Sequence, residues 1–216
     1  MLRNTVIEEK RSNQRFVQSR LEIKDWMGRP PPVNEVRPAQ CPCCGRASRA
    51  ARLTLHGHGV RERQLRGPAD PGEHPTERSI LLRRYLCRSC NAVIVVGPSD
   101  LEPGWLFSRP AIAWALWLFG VAKLSAREVR RRVSPWATVG ATAVTGWATL
   151  RRWARAVRDR ALFAVVRLCP AGWSLRQVAM RAATTIAALA LPADRALPQD
   201  HQVWRGALSA ERAITM

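Results

Sequence analysis

The sequence predicts an α+β chain, in which a small β unit built around paired cysteines precedes an all-helical region. Three observations carry that expectation. Two Cys-x-x-Cys pairs, Cys41/Cys44 and Cys87/Cys90, bracket stretches of alternating polarity broken by Gly and Pro. From Ser108 onward the alternation stops, and helix-starting residues precede apolar runs at helical spacing. The charge is also uneven: residues 105–170 hold twelve basic and two acidic residues, net +10 of a formal +19 for the chain.

Composition excludes several classes. A chain of 216 residues with 47% hydrophobic residues and nine Trp has enough apolar material for one modest core or two small ones, and is not disordered. Met1 to Lys24 is of mixed charge, so no secretory signal is expected. The longest apolar run, Ala111 to Ala122, is 12 residues, against about 20 for a bilayer span, so no membrane is expected as a partner. Of the 35 basic residues only Lys10, Lys24 and Lys123 are Lys. Arginine binds phosphates and guanine edges bidentately, and the excess points to a polyanion such as nucleic acid.

The elements follow in order. Residues 4–27 read as a charged helix, with Glu8 and Glu9 near its start and bases later, closed by Gly28 and the Pro30-Pro31-Pro32 run. Residues 1–32 are thus expected to be a helix and linker. Residues 36–104 form the β unit. Its candidate strands are Arg52 to Leu55, Val60 to Leu65, Ser79 to Leu86 and Ala92 to Val96, with an exposed loop at Gly67 to Pro75.

Residues 105–170 form a helical unit. A buried helix capped by Ser108 runs to about Ala122, and the capping box Ser125-x-x-Glu128 opens a short second helix to about Val133. A turn region spans Ser134 to Thr142, and a third helix runs from about Ala143 to Phe163. In residues 171–216, Ser174-x-x-Gln177 starts a helix to about Leu191, and the tail beyond Pro192 reads as short helix or unstructured chain.

The cysteines carry the sharpest chemistry. Cys41, Cys44, Cys87 and Cys90 make two knuckles, each presenting two sulfurs to one metal, and together they complete a four-thiolate structural Zn2+ site. Gly45 and Asn91 follow the second ligand of each knuckle, where positive φ is needed. Four thiolates leave no open coordination position, which argues against catalytic zinc. Cys43 is read as a bystander able to replace Cys41 or Cys44, and Cys169 as a small core residue. His56 and His58 are read as residues of a glycine-hinged hairpin turn rather than ligands, where they and the nearby Arg61, Arg63 and Arg66 are placed to meet phosphates.

The third helix separates two faces. Trp147, Leu150, Trp153, Ala154, Val157 and Ala161 fall in one arc, and Arg151, Arg152, Arg155 and Arg158 in another. With Arg127, Arg130 and Arg131 of the preceding helix they are the expected nucleic-acid contacts, in a helix-turn-helix-like unit whose turn is longer than usual.

Cys41-Pro42-x-Cys44-Gly45, the His-Gly-x-Gly turn and Arg83 to Cys90 together resemble the zinc-ribbon front ends of bacterial insertion-sequence transposases, over roughly residues 36–160. That resemblance implies a zinc ribbon followed by a helix-turn-helix segment, both recognising double-stranded DNA. It also implies a protein partner in a transposition complex and a bacterial cytoplasmic location, nucleoid-associated when bound. The family's catalytic domain holds two Mg2+ with three carboxylates. Here the acids after Glu128 are Asp159, Asp194, Asp200 and Glu211, with no alternating β pattern, so no enzyme is expected. The expectation is a sequence-recognising DNA-binding protein. The alternatives are an RNA-binding zinc-ribbon protein or an interaction module of a larger transposition or phage assembly.

Overall fold

A computed structural model describes residues 14–49, 52–136 and 146–209. They form a mixed α+β structure with one four-stranded sheet and six helices. The strands are β1 (Gln14–Gln18), β2 (Leu55–Gly67), β3 (Thr76–Cys87) and β4 (Val93–Gly97), in the order β1-β4-β3-β2. The pair β1/β4 is parallel; β4/β3 and β3/β2 are antiparallel. The helices are α1 (Ile23–Trp26), α2 (Arg109–Gly120), α3 (Ala126–Val133), α4 (Ala148–Arg158), α5 (Leu175–Ala187) and α6 (Gln199–Ser209).

The alternating stretches Val60 to Leu65 and Ser79 to Leu86 lie in the long β2–β3 ribbon, whereas of Arg52 to Leu55 only Leu55 joins β2 and Leu53 makes an isolated bridge to Arg49; register assigns the faces. Tyr85 opposite Ile94 and Arg83 opposite Val96 point one way; Arg84 opposite Val95 points the other. Both faces bury apolar side chains. Trp26, Val36, Leu55, Tyr85, Ile94 and Val96 cluster on one; Ile23, Leu65, Ile80, Leu82, Val95 and Leu101 cluster on the other. The ribbon ends against α2: a Cβ on Gly67 would lie 3.2 Å from that of Ala111, a tight contact, and the φ of +112° strains any other residue, so glycine is favoured here.

The amino-terminal region departs from expectation. The helix expected over 4–27 is replaced, in its described part, by strand β1 and a single helical turn at α1; residues 4–13 lie outside the described residues. Tertiary pairing overrides the charge pattern here. Phe16 and Val17 point to opposite faces of the sheet, each meeting a core cluster, and β1 covers what would be the open edge of β4. The Pro30–Pro32 run is not a free linker either. Arg83 Nε donates to the Pro31 carbonyl at 2.7 Å and Tyr85 Oη to the Val33 carbonyl at 2.6 Å, strapping it onto β3.

In the helical region α2 is the hub, packed against α3, α4, α5 and α6. It is buried nearly all round, as its uniform apolar character predicts. Ser108 caps it, and Ser125 and Ser174 form the expected capping boxes. Helix α4 is shorter than expected. It begins after Gly146 (φ +72°) and ends at Arg158, with Arg160 and Phe163 in the left-handed region; Ala143 to Thr145 lie outside the described residues. Helix α5 stops at Ala187 rather than Leu191. The tail, whose residues 210–216 are not described, contains a 3-10 turn at Pro192–Asp194 and then α6, which buries Val203, Trp204 and Ala207 in the helical core.

Sheet and helices are joined by polar contacts on the chain between them. Ile23 N donates to Asp100 Oδ1 (2.8 Å), Arg109 N to the Asp100 carbonyl (2.8 Å), and Arg109 Nε to Glu102 Oε2 (2.9 Å). Burial, the largest influence, raises the Asp100 carboxyl to about 6 against the pull of the Ile23 amide.

Candidate metal centre and basic helical face

The two cysteine knuckles are built alike. In the first, Gly45 N donates to the Cys41 carbonyl and Cys41 N to the Arg46 carbonyl, both at 2.9 Å. In the second, Asn91 N donates to the Cys87 carbonyl at 2.8 Å and Cys87 N to the Ala92 carbonyl at 2.9 Å. Gly45 (φ +68°) and Asn91 (φ +55°) take the left-handed conformation that closes each turn. The bridge Gln40–Ala47 anchors the first knuckle, and the second is the turn between β3 and β4.

This geometry brings all four expected ligands together. The sulfurs of Cys41, Cys44, Cys87 and Cys90 all lie within 4.8 Å of one another. Cys41–Cys90 and Cys44–Cys87 are 3.8 Å apart. A disulfide needs about 2.05 Å, whereas a tetrahedron with metal–sulfur bonds of about 2.3 Å has edges of about 3.8 Å. The donor set therefore fits a tetrahedral metal ion.

Electrostatics agree with a need for a cation. Burial pushes the Cys87 thiol up, but hydrogen bonds from the Ser89 and Cys90 amides and the facing thiols outweigh it, leaving it at about 7. The Ala92 amide pulls Cys90 down, yet burial and the neighbouring sulfurs raise it to about 12. One thiolate forms readily; further thiolates beside it require a compensating positive charge. Cys43 is exposed and stands outside the four-sulfur group, its thiol raised by burial first and then by Cys41. His56 hydrogen-bonds the Leu53 carbonyl through Nε2 at 2.7 Å, and neither it nor His58 joins the cluster among the described residues.

The arginines divide in two. On α4, Arg151, Arg152 and Arg155 are exposed, while Leu150, Trp153, Ala154 and Val157 are buried. Trp153 is locked edge to face against Phe107 and Trp147, each with ring centres 5.0 Å away. On α3, Arg127, Arg131 and Arg132 are exposed. Arg158 is half-buried and donates through Nη2 to the Trp173 carbonyl at 2.6 Å, and Arg130 is half-buried on α3, so these two are partly structural. Glu128, held by the Ser125 amide and hydroxyl, serves the α3 cap. Helices α3 and α4 each pack on α2, and among the described residues they share little direct packing; residues 137–145 of their connection lie outside the description.

The sequence did not show the structural work of two arginines, Arg176 and Arg66, the latter expected only as a phosphate contact. Arg176 of α5 reaches across to accept the role of C-terminal cap for α2, donating to the Phe119 and Leu124 carbonyls. Arg66 lies 3.6 Å from the ring centre of Trp136, joining the ribbon to the chain after α3. No sequence-local signal marks either, since both partners are remote in the chain.

No family model, curated protein or solved structure matches the chain. Among the described residues, no helix is long and apolar enough to cross a membrane.

Proposed function

We propose that this chain is a double-stranded DNA-binding protein whose sheet is pinned by a structural zinc ion and whose helical region supplies the contact surface. The observation that carries the reading is the face of α4: three exposed guanidiniums on a helix whose opposite side is fixed by an aromatic cluster. A rigidly seated basic helix of 11 residues matches the size of a major-groove reader. The exposed Arg127 and Arg131 of α3 add phosphate contacts; Arg130 and Arg158, half-buried, support the surface more than they form it.

Zinc is assigned to the cysteine cluster because four thiolates with tetrahedral edges are its preferred structural donor set. It holds residues 41–44 against the turn after β3, and it takes no part in chemistry. We read the chain as a zinc ribbon followed by a helix-turn-helix-like unit of transposase-related or regulatory type, a binding protein rather than an enzyme, able to serve a larger transposition complex. The test is duplex binding by the zinc-loaded protein and by a variant with Arg151, Arg152 and Arg155 replaced together by Ala. Loss of at least about tenfold in affinity supports the reading; unchanged affinity with the fold intact overturns it.

A further inference from the structure

The sheet carries a second basic surface that the α4 reading does not use. Register places Arg61 opposite Leu82 and Arg63 opposite Ile80, so both arginines share the face of the sheet that bears Phe16 and Val95. The loop Pro103–Leu106 crosses beside this face and borders an open groove of about 460 Å3, with Trp105, which also meets Trp153 edge to face at 6.5 Å, on one wall and Arg61, Arg63 and Phe16 on others. That volume falls within the span of sites that hold small organic ligands.

Each component has a definite setting. Gly97 makes room for Phe16 to lie across the strands: a Cβ there would come within 2.8 Å of the Phe16 ring. Arg63 lies 5.7 Å from the centre of that ring, and its guanidinium is fixed by the carbonyls of Glu102 and Trp105. Arg61 is exposed at the groove's edge, near enough to repel Arg63. Arg61 has no ion-pair partner among the described residues, whereas Arg63 also feels the attraction of Glu102. Glu62 also lines the groove and Glu102 draws on Arg63, so the cation left over is Arg61, at the edge of an apolar, aromatic floor; that suits one phosphate beside a flat apolar body.

We infer that this groove binds one unpaired nucleotide of a single-stranded nucleic acid, its base against the Trp105 and Phe16 side and its phosphate toward Arg61. Sequence-tolerant single-strand sites combine these same parts, an aromatic surface for stacking and a cationic edge that tracks the backbone. The site is separate from the duplex contacts of α4, so the chain would engage a place where duplex and single strand meet.

The test uses the full zinc-loaded chain and a short fluorescent oligothymidine. Arg61→Glu is expected to weaken binding of this strand by about tenfold or more, while Arg61→Lys stays within about threefold, because a cation remains. Duplex affinity should change little in either variant. Photocrosslinking with a 5-iodouracil-substituted strand should label peptides containing Phe16 or Trp105. Unchanged single-strand affinity in Arg61→Glu, crosslinks confined to α3 and α4, or equally tight binding of free thymidine monophosphate would each overturn the inference. The outcome is independent of the α4 experiment, since the Arg151, Arg152 and Arg155 replacements should spare single-strand binding.

Discussion

Cys41 Sγ and Cys90 Sγ lie 3.8 Å apart although 49 residues separate them in the chain. The sheet between them makes that meeting possible: β2 and β3 return the chain to its start, so the turn after Cys87 arrives beside the knuckle at Cys41. A contact of this kind closes a long loop, and its stability depends on what bridges the sulfurs.

Purified protein is therefore expected to carry one zinc ion per chain by elemental analysis. Cys44→Ser or Cys90→Ser should lose the metal and lower the thermal midpoint, whereas Cys43→Ser should leave both nearly unchanged. Zinc binding of this type supplies about 10 kcal/mol or more in small domains, so chelation should unfold the region around both knuckles, as read by hydrogen exchange of the Gly45 and Asn91 amides.

Salt dependence provides a second check. If Arg151, Arg152 and Arg155 each neutralise a phosphate, replacing all three with Ala should reduce the slope of log affinity against log salt by about 2.7. The residues are exposed, and thermal stability should move by less than about 1 kcal/mol. Arg158→Ala should behave in the opposite way, lowering stability through the lost Trp173 contact with little effect on the slope.

Asp100 sets a pH dependence. Its carboxyl titrates at about 6 in the folded chain against an ordinary 3.8, so the folded state binds the proton more tightly than the unfolded state. This contribution is fully present below about pH 4 and is lost as pH rises through 6, worth up to about 3 kcal/mol. Chemical denaturation should show stability rising from pH 7 toward 4.5, and Asp100→Asn should flatten that rise while keeping an oxygen for the Ile23 amide.

Close helix packing gives a fourth expectation. A Cβ on Gly206 of α6 would fall 1.9 Å from the Ile186 carbonyl oxygen, and one on Gly120 of α2 2.3 Å from the Met180 amide nitrogen. Either Gly→Ala change must separate helices, at a cost of about 2–3 kcal/mol. Thermal melts of Gly206→Ala should show it, although alanine is the better helix former.

Much of this is legible in the sequence. Knuckle spacing, Gly45 and Asn91 and the three serine caps are local features that form as their residues predict; α4 keeps its two faces but stops at Arg158, leaving Ala161 outside it and exposed. Elements with weak local patterns were not legible. Arg15-Phe16-Val17 is a strand because β4 presents an edge beside it, and α6, with few apolar residues, is a helix because Trp204 and Val203 find the core. The Pro30–Pro32 run is strapped down by Arg83 and Tyr85, more than fifty residues away.

By itself the sequence determined the donor atoms, the charge distribution and where helices start, because hydrogen bonding and side-chain periodicity act over a few residues. Only the tertiary structure decided which sulfurs meet, which arginines are spent on carbonyls and which remain exposed, and that Arg61, Arg63, Phe16 and Trp105 line one open groove. Those outcomes depend on strand register and on packing between distant segments. Their free energy comes from burying surfaces together, which no single stretch of the chain encodes.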